Sequence, residues 1–223
     1  MPHRRQPDGR RRAQPALVGW LALALLAFAA SCGSSNQPSH GTGGGNQPSP
    51  GTGGGWRLTV YYTPVESYHG GSRDPISGCQ GADLGSHSHE FLTTIKTEGF
   101  GRLSTPVDGR SYLGWDFGRR CWFVAAAPVG ANDRTLRPWV STAAHPSIAI
   151  GTRVSVRKCG GQLDRSLCDR VRAAAWVVDD RCSVGCTGPK HLDLYVGEED
   201  RPKFEDDSPN YFEDDDATVT LTR

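Results

Sequence analysis

Two aspartates, Asp180 and Asp193, stand where one predicted strand ends and the next begins, in the stretch VVDDRCSVGCTGPKHLDLY from Val177 to Tyr195. A loop with glycines and cysteines separates them, so a hairpin would bring their carboxyl groups together at its mouth. Neighbouring carboxylates repel each other, and one of them can keep its proton near neutral pH. A protonated carboxyl opposite an ionised one is what cleavage of a glycosidic bond requires. The alternative is a hairpin whose polar residues simply face water.

Strand alternation indicates which side chains share a face with Asp193. His191, Asp193 and Tyr195 fall on one face, and the two leucines between them fall on the other. If the leucines point into the core, Asp193 faces outward into a groove. Asp179 lies beside Asp180, and only one of this pair can point toward Asp193.

Short strand-like runs lie between turns rich in glycine and proline. Their patterns predict strands at Arg57–Tyr62, Cys121–Ala127, Thr152–Arg157, Val171–Val178, His191–Val196 and Thr218–Thr222. The stretch Glu90–Glu98 predicts a helix, because its apolar residues can share one face. Short strands with such turns favour a closed barrel. We therefore expect a mainly β chain built on a six-stranded barrel, with one or two short helices and disulfide-bonded loops.

The N-terminal stretch has the composition of an export signal. A leader with five arginines precedes the apolar run Ala16–Ala30, which is too short to span a bilayer as a stable helix. The small residues before Cys32 resemble a bacterial lipobox, so residues 1–31 are expected to be a lipoprotein signal and Cys32 the lipidated residue. An ordinary signal cleaved nearby is the alternative. The protein is expected to be exported and anchored to a membrane of the bacterial cell envelope, at its periplasmic face or outer surface.

The segment after Cys32 is a direct repeat, NQPSHGTGGG followed by NQPSPGTGGG. Its glycines and its lack of core-forming residues predict a flexible linker over residues 32–55. The folded domain is expected to span residues 56–223.

The chain contains seven cysteines, an odd number for an exported protein. If Cys32 carries a lipid, six remain for disulfides, namely Cys79, Cys121, Cys159, Cys168, Cys182 and Cys186. The expected pair is Cys159 with Cys168, which bracket a short loop between two strand-like runs. A zinc site is the other interpretation of Cys182 and Cys186.

Charge and motifs exclude several classes of function. Without the five arginines and one aspartate of the leader, the chain's 25 basic and 24 acidic residues leave a net charge of −3. That balance argues against nucleic acid as a partner. The sequence contains no phosphate loop, nucleophile elbow or dinucleotide fingerprint, and we expect no cofactor and no metal.

Several blocks resemble the three-aspartate (3D) domain, a double-psi β-barrel of cell-wall proteins and of the membrane-bound lytic transglycosylase A family. The hairpin carries this resemblance through DRC at Asp180–Cys182 and GPKHLDLYVG at Gly188–Gly197. Further similar blocks are LTVYYTP (Leu58–Pro64), FLTTIKTEGFGRL, RRCWFV and HPSIAIGTRVSV (His145–Val156), in the family's order. The resemblance implies a six-stranded double-psi barrel that acts on peptidoglycan or a related polysaccharide.

The resemblance also implies roles for individual residues. Asp193 matches a family aspartate and would be the general acid/base, and Asp180 would position it, tune its pKa or stabilise positive charge on the sugar. The expected substrate contacts are Tyr62, Thr63, His145, His191 and Tyr195. Ordinary barrel packing is the alternative for Tyr62, Thr63 and Tyr195.

Two features depart from the family pattern. His145 stands where the family has its first aspartate, and the loop between Asp180 and Asp193 is longer and holds two cysteines. In that form the hairpin is more similar to expansin- and RlpA-like barrels, a group of wall-loosening proteins. The insert that forms the other wall of the transglycosylase groove is not evident. Two functions therefore stay open, glycan cleavage and a non-catalytic module that binds or loosens the wall.

Overall fold

The computed structural model of the protein describes residues 52–182 and 186–223. The expected signal peptide, Cys32 and most of the expected linker lie outside the described residues. The first strand begins at Thr52, four residues before the expected start of the domain at residue 56. None of the helices in the described residues is long and apolar enough to cross a membrane.

Short strands dominate the described chain, with three short α-helices between them. In chain order the elements are β1 (Thr52–Thr63), β2 (Arg73–Ser77), β3 (Asp83–Ser88), α1 (His89–Glu98), β4 (Phe100–Val107), β5 (Arg110–Asp116), β6 (Cys121–Ala125), β7 (Ser141–Ala144), β8 (Arg153–Lys158), α2 (Arg165–Ala173), β9 (Trp176–Arg181), β10 (His191–Glu198), α3 (Phe204–Asp207) and β11 (Asp214–Thr222).

Six of the strands close into a barrel in the order β1-β10-β7-β9-β8-β11, and β11 pairs back onto β1. Strands β1 and β10 run parallel, as do β7 and β9, and the other neighbours are antiparallel. The expected mainly β chain with a closed six-stranded barrel is confirmed.

Alternation along the strands fills the barrel with apolar side chains. Leu58 of β1, Leu192 and Leu194 of β10 and Val219 of β11 are fully buried in one cluster with Trp176 of β9. The two leucines of β10 point inward, which is the condition under which Asp193 was expected to face outward. Burial of each such side chain contributes roughly 1.5–3 kcal/mol to the free energy of unfolding. Because side chains alternate along a strand, the residues between them lie on the outer face of the barrel.

Residues 73–125 form an insert between β1 and β7 with its own small core. The hairpin β2–β3, helix α1 and the antiparallel sheet β4-β5-β6 enclose Phe91, Ile95, Leu113 and Trp122, all buried. Ser88 caps α1 by accepting a hydrogen bond from the Phe91 backbone N–H over 3.3 Å. The predicted helix Glu90–Glu98 is confirmed.

Two of the predicted strands differ from those observed. The run Cys121–Ala127 forms β6, which belongs to the insert, and the barrel takes the four-residue β7 in its place. The run Val171–Val178 becomes a strand at Trp176, because Arg165–Ala173 is helix α2. Asp164 starts this helix by accepting a hydrogen bond from the Leu167 N–H over 2.9 Å, and that cap competes with the strand pattern.

Three disulfides join the six cysteines that follow Cys32. The bonds are Cys79–Cys121, Cys159–Cys168 and Cys182–Cys186. The predicted Cys159–Cys168 bond is confirmed, and the alternative of a zinc site at Cys182 and Cys186 is wrong because these sulfurs are bonded to each other.

Candidate active site

An open groove of about 540 Å³ lies between the outer face of the barrel and the insert. On the barrel side its lining includes Thr59, Tyr61, Ala143, Asp180, His191 and Asp193. On the insert side it includes Glu98 at the end of α1, together with Trp115, Phe117 and Phe123. The insert therefore supplies the second wall that was not evident in the sequence.

Asp193 reaches the groove because its neighbours on β10 point into the barrel. Its Cα is in register with that of Thr59 in the parallel pair β1–β10. Leu58 and Leu192 are in register one residue earlier and are fully buried. The period of two that buries the leucines places Asp193 and Thr59 side by side on the outer face.

Asp180 and Asp193 lie on either side of β7. The Cα of Ala143 is in register with Asp193 of β10 on one side and with Asp180 of β9 on the other. Since adjacent strands are about 4.8 Å apart, the backbones of the two aspartates are roughly 10 Å apart. The sequence predicted a direct approach across a hairpin mouth, but β7 pairs with both strands and separates them. The small Ala143 side chain leaves the space between the two carboxyl groups open.

A directed chain of hydrogen bonds ends on Asp193. The Thr187 backbone N–H donates to Nδ1 of His191 over 3.0 Å, so Nδ1 carries no proton. Nε2 then donates to the Thr59 hydroxyl over 2.9 Å, and that hydroxyl donates to Oδ1 of Asp193 over 2.7 Å. Burial and the charge of Arg57 lower the pKa of His191, which keeps the ring neutral. His191 therefore positions Thr59, and Thr59 positions Asp193.

Burial raises the pKa of Asp193 to about 6. The Thr59 hydrogen bond opposes this shift, while the charge of Asp180 adds to it. At neutral pH most Asp193 side chains are ionised, yet their pKa is close enough to neutrality for proton transfer in either direction.

Burial also raises the pKa of Asp180 to about 6, against backbone hydrogen bonds from Arg181 and Ala131. Asp179 has a different environment, with an exposed fraction of 1%. It accepts a hydrogen bond from Ser141 over 2.9 Å and pairs with Arg134 over 3.0 Å. Asp180 is thus the member of the pair that faces the groove, and Asp179 anchors the loop before β7.

Glu98 is another carboxyl group in the groove, and the sequence interpretation missed it. Its Oε2 accepts a hydrogen bond from the Tyr62 backbone N–H over 3.1 Å. Burial is the largest cause that raises its pKa, to about 8, and the charge of Asp193 adds to the shift. The residue ends a helix just before Gly99, whose φ of 92° suits glycine. No sequence spacing relates Glu98 to the aspartates, because its position depends on how α1 lies against the barrel strand β1.

Tyr61 also lines the groove and was not predicted. Its ring packs on Tyr195 with 5.1 Å between centroids. Its hydroxyl is buried and finds no hydrogen-bond partner within residues 52–182 and 186–223. An unpaired buried hydroxyl is unfavourable, so this hydroxyl is expected to lower the free energy of unfolding.

The predicted substrate contacts divide into two groups. His191 lines the groove. Tyr62 packs in the barrel core and donates to Glu205, and the Thr63 and Tyr195 hydroxyls bond to each other over 2.7 Å. Tyr62 shares the inward face of β1 with Leu58, and Tyr62, Thr63 and Tyr195 are not among the groove-lining residues of the described chain.

His145 lies after β7, where its Nδ1 bonds to the Ser147 hydroxyl over 2.8 Å. It is not among the groove-lining residues of the described chain. In the described chain His145 thus holds a local turn together with Ser147.

Within the described residues, the cluster whose ligand atoms come close enough for a metal ion is Cys79, Asp116 and Cys121. Its two sulfurs are bonded to each other, which removes them as thiolate ligands. Glu98, Asp180 and Asp193 do not form such a cluster among the described residues.

Replacing Thr59 by valine is expected to raise the pKa of Asp193 above 6. The change keeps the shape of the side chain but removes the hydrogen bond that stabilises the ionised carboxyl. Titration of ¹³C-labelled aspartate carboxyls by NMR measures the shift. Thr220→Val on β11 is the matched control, and an unchanged Asp193 midpoint in Thr59→Val would contradict the hydrogen-bond assignment.

Solved structures similar to this chain include a lytic murein transglycosylase and an MltA. A membrane-bound lytic murein transglycosylase from Agrobacterium tumefaciens matches with a TM-score of 0.51 and 12% identity, covering 74% of this chain and 73% of that one. Escherichia coli MltA with bound chitohexaose matches with a TM-score of 0.48 and 14% identity over 76% and 72% of the two chains. No protein-family model and no curated protein matches the sequence. The likeness to the A. tumefaciens structure shows that this chain shares the fold of a lytic murein transglycosylase.

Proposed function

We propose that this protein cleaves the glycan strands of peptidoglycan as a lytic transglycosylase. The observation that carries the proposal is the placement of Asp193 and Asp180 on either side of Ala143 in one open groove. Burial raises the pKa of each of these carboxyls to about 6, which suits proton transfer near neutral pH. The shared fold with a lytic murein transglycosylase supports the same assignment.

The reaction needs a proton for the leaving oxygen and a base for the attacking hydroxyl. The glycosidic C1–O4 bond breaks and O4 takes a proton, while the 6-hydroxyl of the same sugar bonds to C1 and loses its proton. Asp193 is the general acid/base in this scheme. Asp180 also faces the groove, and its backbone lies roughly 10 Å from that of Asp193. It places negative charge near the sugar as positive charge develops at C1.

The walls of the groove suit a carbohydrate. Trp115, Phe117 and Phe123 present aromatic surface on the insert side, and the flat faces of sugar rings pack on such surface. On the barrel side the polar residues Thr59, Asp180, His191 and Asp193 line the groove.

Replacing Tyr61 by phenylalanine is expected to stabilise the fold. Removing the unpaired hydroxyl raises the free energy of unfolding by about 1 kcal/mol. Because that hydroxyl is buried behind the groove wall, kcat/KM on peptidoglycan should change little. Thermal unfolding and initial rates measure the two quantities, and a variant less stable than the unchanged protein would contradict this assignment.

The location proposed for the enzyme is the cell envelope, with a lipid on Cys32 and residues 33–55 as a tether. Three disulfides in the described residues support an oxidising compartment. Metabolic labelling with a radioactive fatty acid tests the anchor, since Cys32→Ala should remove the label from the protein.

The function is tested by incubating the purified, disulfide-bonded protein with insoluble peptidoglycan. Soluble fragments ending in an anhydro sugar are expected from the unchanged protein. Absence of soluble fragments under conditions where the protein remains folded would overturn the proposal.

A non-catalytic module that binds or loosens the wall is the second candidate. The observation that favours it is the Cys182–Cys186 disulfide in the loop between the two aspartates, the feature that resembles expansin-like hairpins. In this case the protein would pellet with peptidoglycan without releasing fragments, and Asp193→Asn would pellet equally.

A further inference from the structure

Glu98 lines the same groove as Asp193, from the end of α1. It is the last residue of α1, and the N–H of Gly99 closes that helix by bonding to the Ile95 carbonyl over 2.7 Å. The Tyr62 N–H holds only Oε2 of Glu98, over 3.1 Å. One carboxyl oxygen is thus fixed to the barrel strand β1, and the side chain is half-buried at the lining of the groove.

The surroundings of Glu98 favour its protonated form. Burial is the largest cause of its raised pKa of about 8, and the charges of Asp193, Glu205 and Glu199 add to it. The Tyr62 N–H opposes the shift. Glu205 accepts a hydrogen bond from the Tyr62 hydroxyl over 2.9 Å, and Glu199 is bonded to His69 over 2.9 Å. At pH 7 most Glu98 side chains carry a proton.

The other acidic groups that line the groove are placed differently. Glu213 pairs with Arg57 over 2.6 Å, and Asp116 accepts a hydrogen bond from the Arg119 N–H over 2.8 Å. The pKa of Asp180 and that of Asp193 are raised only to about 6. Glu98 and Asp193 therefore form a pair whose environments separate their pKa values, which is the arrangement that assigns one carboxyl as acid and another as base.

We infer that Glu98 is the general acid of the proposed reaction, giving its proton to the leaving glycosidic oxygen while Asp193 acts as the base. This assignment rests on the proposed transglycosylase function. It divides between two residues the roles that Asp193 alone would otherwise perform.

Glu98 gives one proton in this step, and Asp193 takes one. The C1–O4 bond breaks, and O4 receives the proton of the Glu98 carboxyl and leaves as a hydroxyl. The 6-hydroxyl oxygen bonds to C1, and its proton passes to the Asp193 carboxylate. The step leaves Glu98 ionised and Asp193 protonated, and proton exchange with water restores both.

The test compares Glu98→Gln with the unchanged protein on two substrates. On peptidoglycan, the loss of the acid is expected to lower the rate by about 10²- to 10⁴-fold. On a 4-methylumbelliferyl glycoside of the same muramyl sugar, the leaving group needs no proton, so the variant should stay within a few-fold of the unchanged protein. Glutamine still accepts the Tyr62 hydrogen bond and resembles the protonated carboxyl, so the fold is retained. Glu90→Gln, at the exposed start of the same helix, is the matched control.

A pH profile gives an independent result. Activity of the unchanged protein requires ionised Asp193 and protonated Glu98, so kcat/KM should rise near pH 6 and fall near pH 8. The fall near pH 8 should be absent in Glu98→Gln. NMR titration of ¹³C-labelled glutamate carboxyls should show a midpoint near 8 that this variant lacks.

The outcomes separate the two proposals. If the unchanged protein releases nothing from peptidoglycan, the proposed function fails, and the acid role fails with it. If the unchanged protein is active and Glu98→Gln is equally active, only the role of Glu98 is overturned. Equal losses on both substrates would also overturn it, because a positioning role does not depend on the leaving group.

Discussion

Replacing Asp193 by asparagine is expected to lower the rate of glycan cleavage by about 10³-fold or more. Asparagine has nearly the same shape and can still accept the Thr59 hydrogen bond through its carbonyl oxygen. It can neither take nor give the proton, so the chemical step is lost while the groove stays intact. Initial rates of fragment release from peptidoglycan measure the effect.

The same variant should not be less stable. Burial raises the pKa of Asp193 to about 6, so its contribution to stability is present below about pH 4 and is lost as the pH rises through 6. Neutral asparagine avoids that loss, and the Tm of Asp193→Asn at pH 7 should equal or exceed that of the unchanged protein. Asp169→Asn, on exposed helix α2, is the control. A large fall in Tm would mean that lost activity reflects lost folding.

Removing the Cys79–Cys121 disulfide is expected to have the largest effect on stability. Its cysteines are 42 residues apart in the sequence, and a loop of that length gives about 4 kcal/mol in the chain-entropy account of disulfides. The bond joins the end of hairpin β2–β3 to β6, so it holds together the insert that forms the second wall of the groove. The double variant Cys79→Ala/Cys121→Ala should unfold at lower denaturant concentration and lose glycan cleavage.

The Cys159–Cys168 bond provides the comparison, because its cysteines are only 9 residues apart. Its removal should lower the free energy of unfolding by less, about 2.5–3 kcal/mol, and should leave the groove wall in place. Denaturant unfolding of both double variants measures the order. If Cys159→Ala/Cys168→Ala is the less stable and less active protein, the insert does not depend on its disulfide as described.

Hydrophobic alternation along the sequence predicted the strands whose burial depends on neighbouring residues. The alternation in HLDLY was sufficient to place Leu192 and Leu194 in the core and Asp193 outside. Strand β7 was missed, because four small or short polar residues, Ser141–Ala144, carry no recognisable strand pattern. Its pairing with β9 and β10 is long-range, and that pairing decides that the two aspartates flank Ala143 instead of facing each other directly.

In the candidate site, too, some residues could be predicted from the local sequence and others depend on long-range packing. Asp180 and Asp193 could be selected from residue type and spacing, and burial of Leu58 explains why Tyr61, not Tyr62, faces the groove. Glu98 could not be selected. Its position depends on how the insert packs against the barrel, and its raised pKa depends on burial that only the folded chain creates.

Digestion of peptidoglycan in water enriched in ¹⁸O, followed by mass spectrometry of the released fragments, tests glycan cleavage in this groove most directly. Attack by the sugar's own 6-hydroxyl predicts anhydro ends without ¹⁸O, released by the unchanged protein and lost in Asp193→Asn. Reducing ends labelled with ¹⁸O would show that water is the nucleophile, in contradiction to the transglycosylase reaction. If Asp193→Asn released as many fragments as the unchanged protein, the catalytic role assigned to Asp193 would be contradicted.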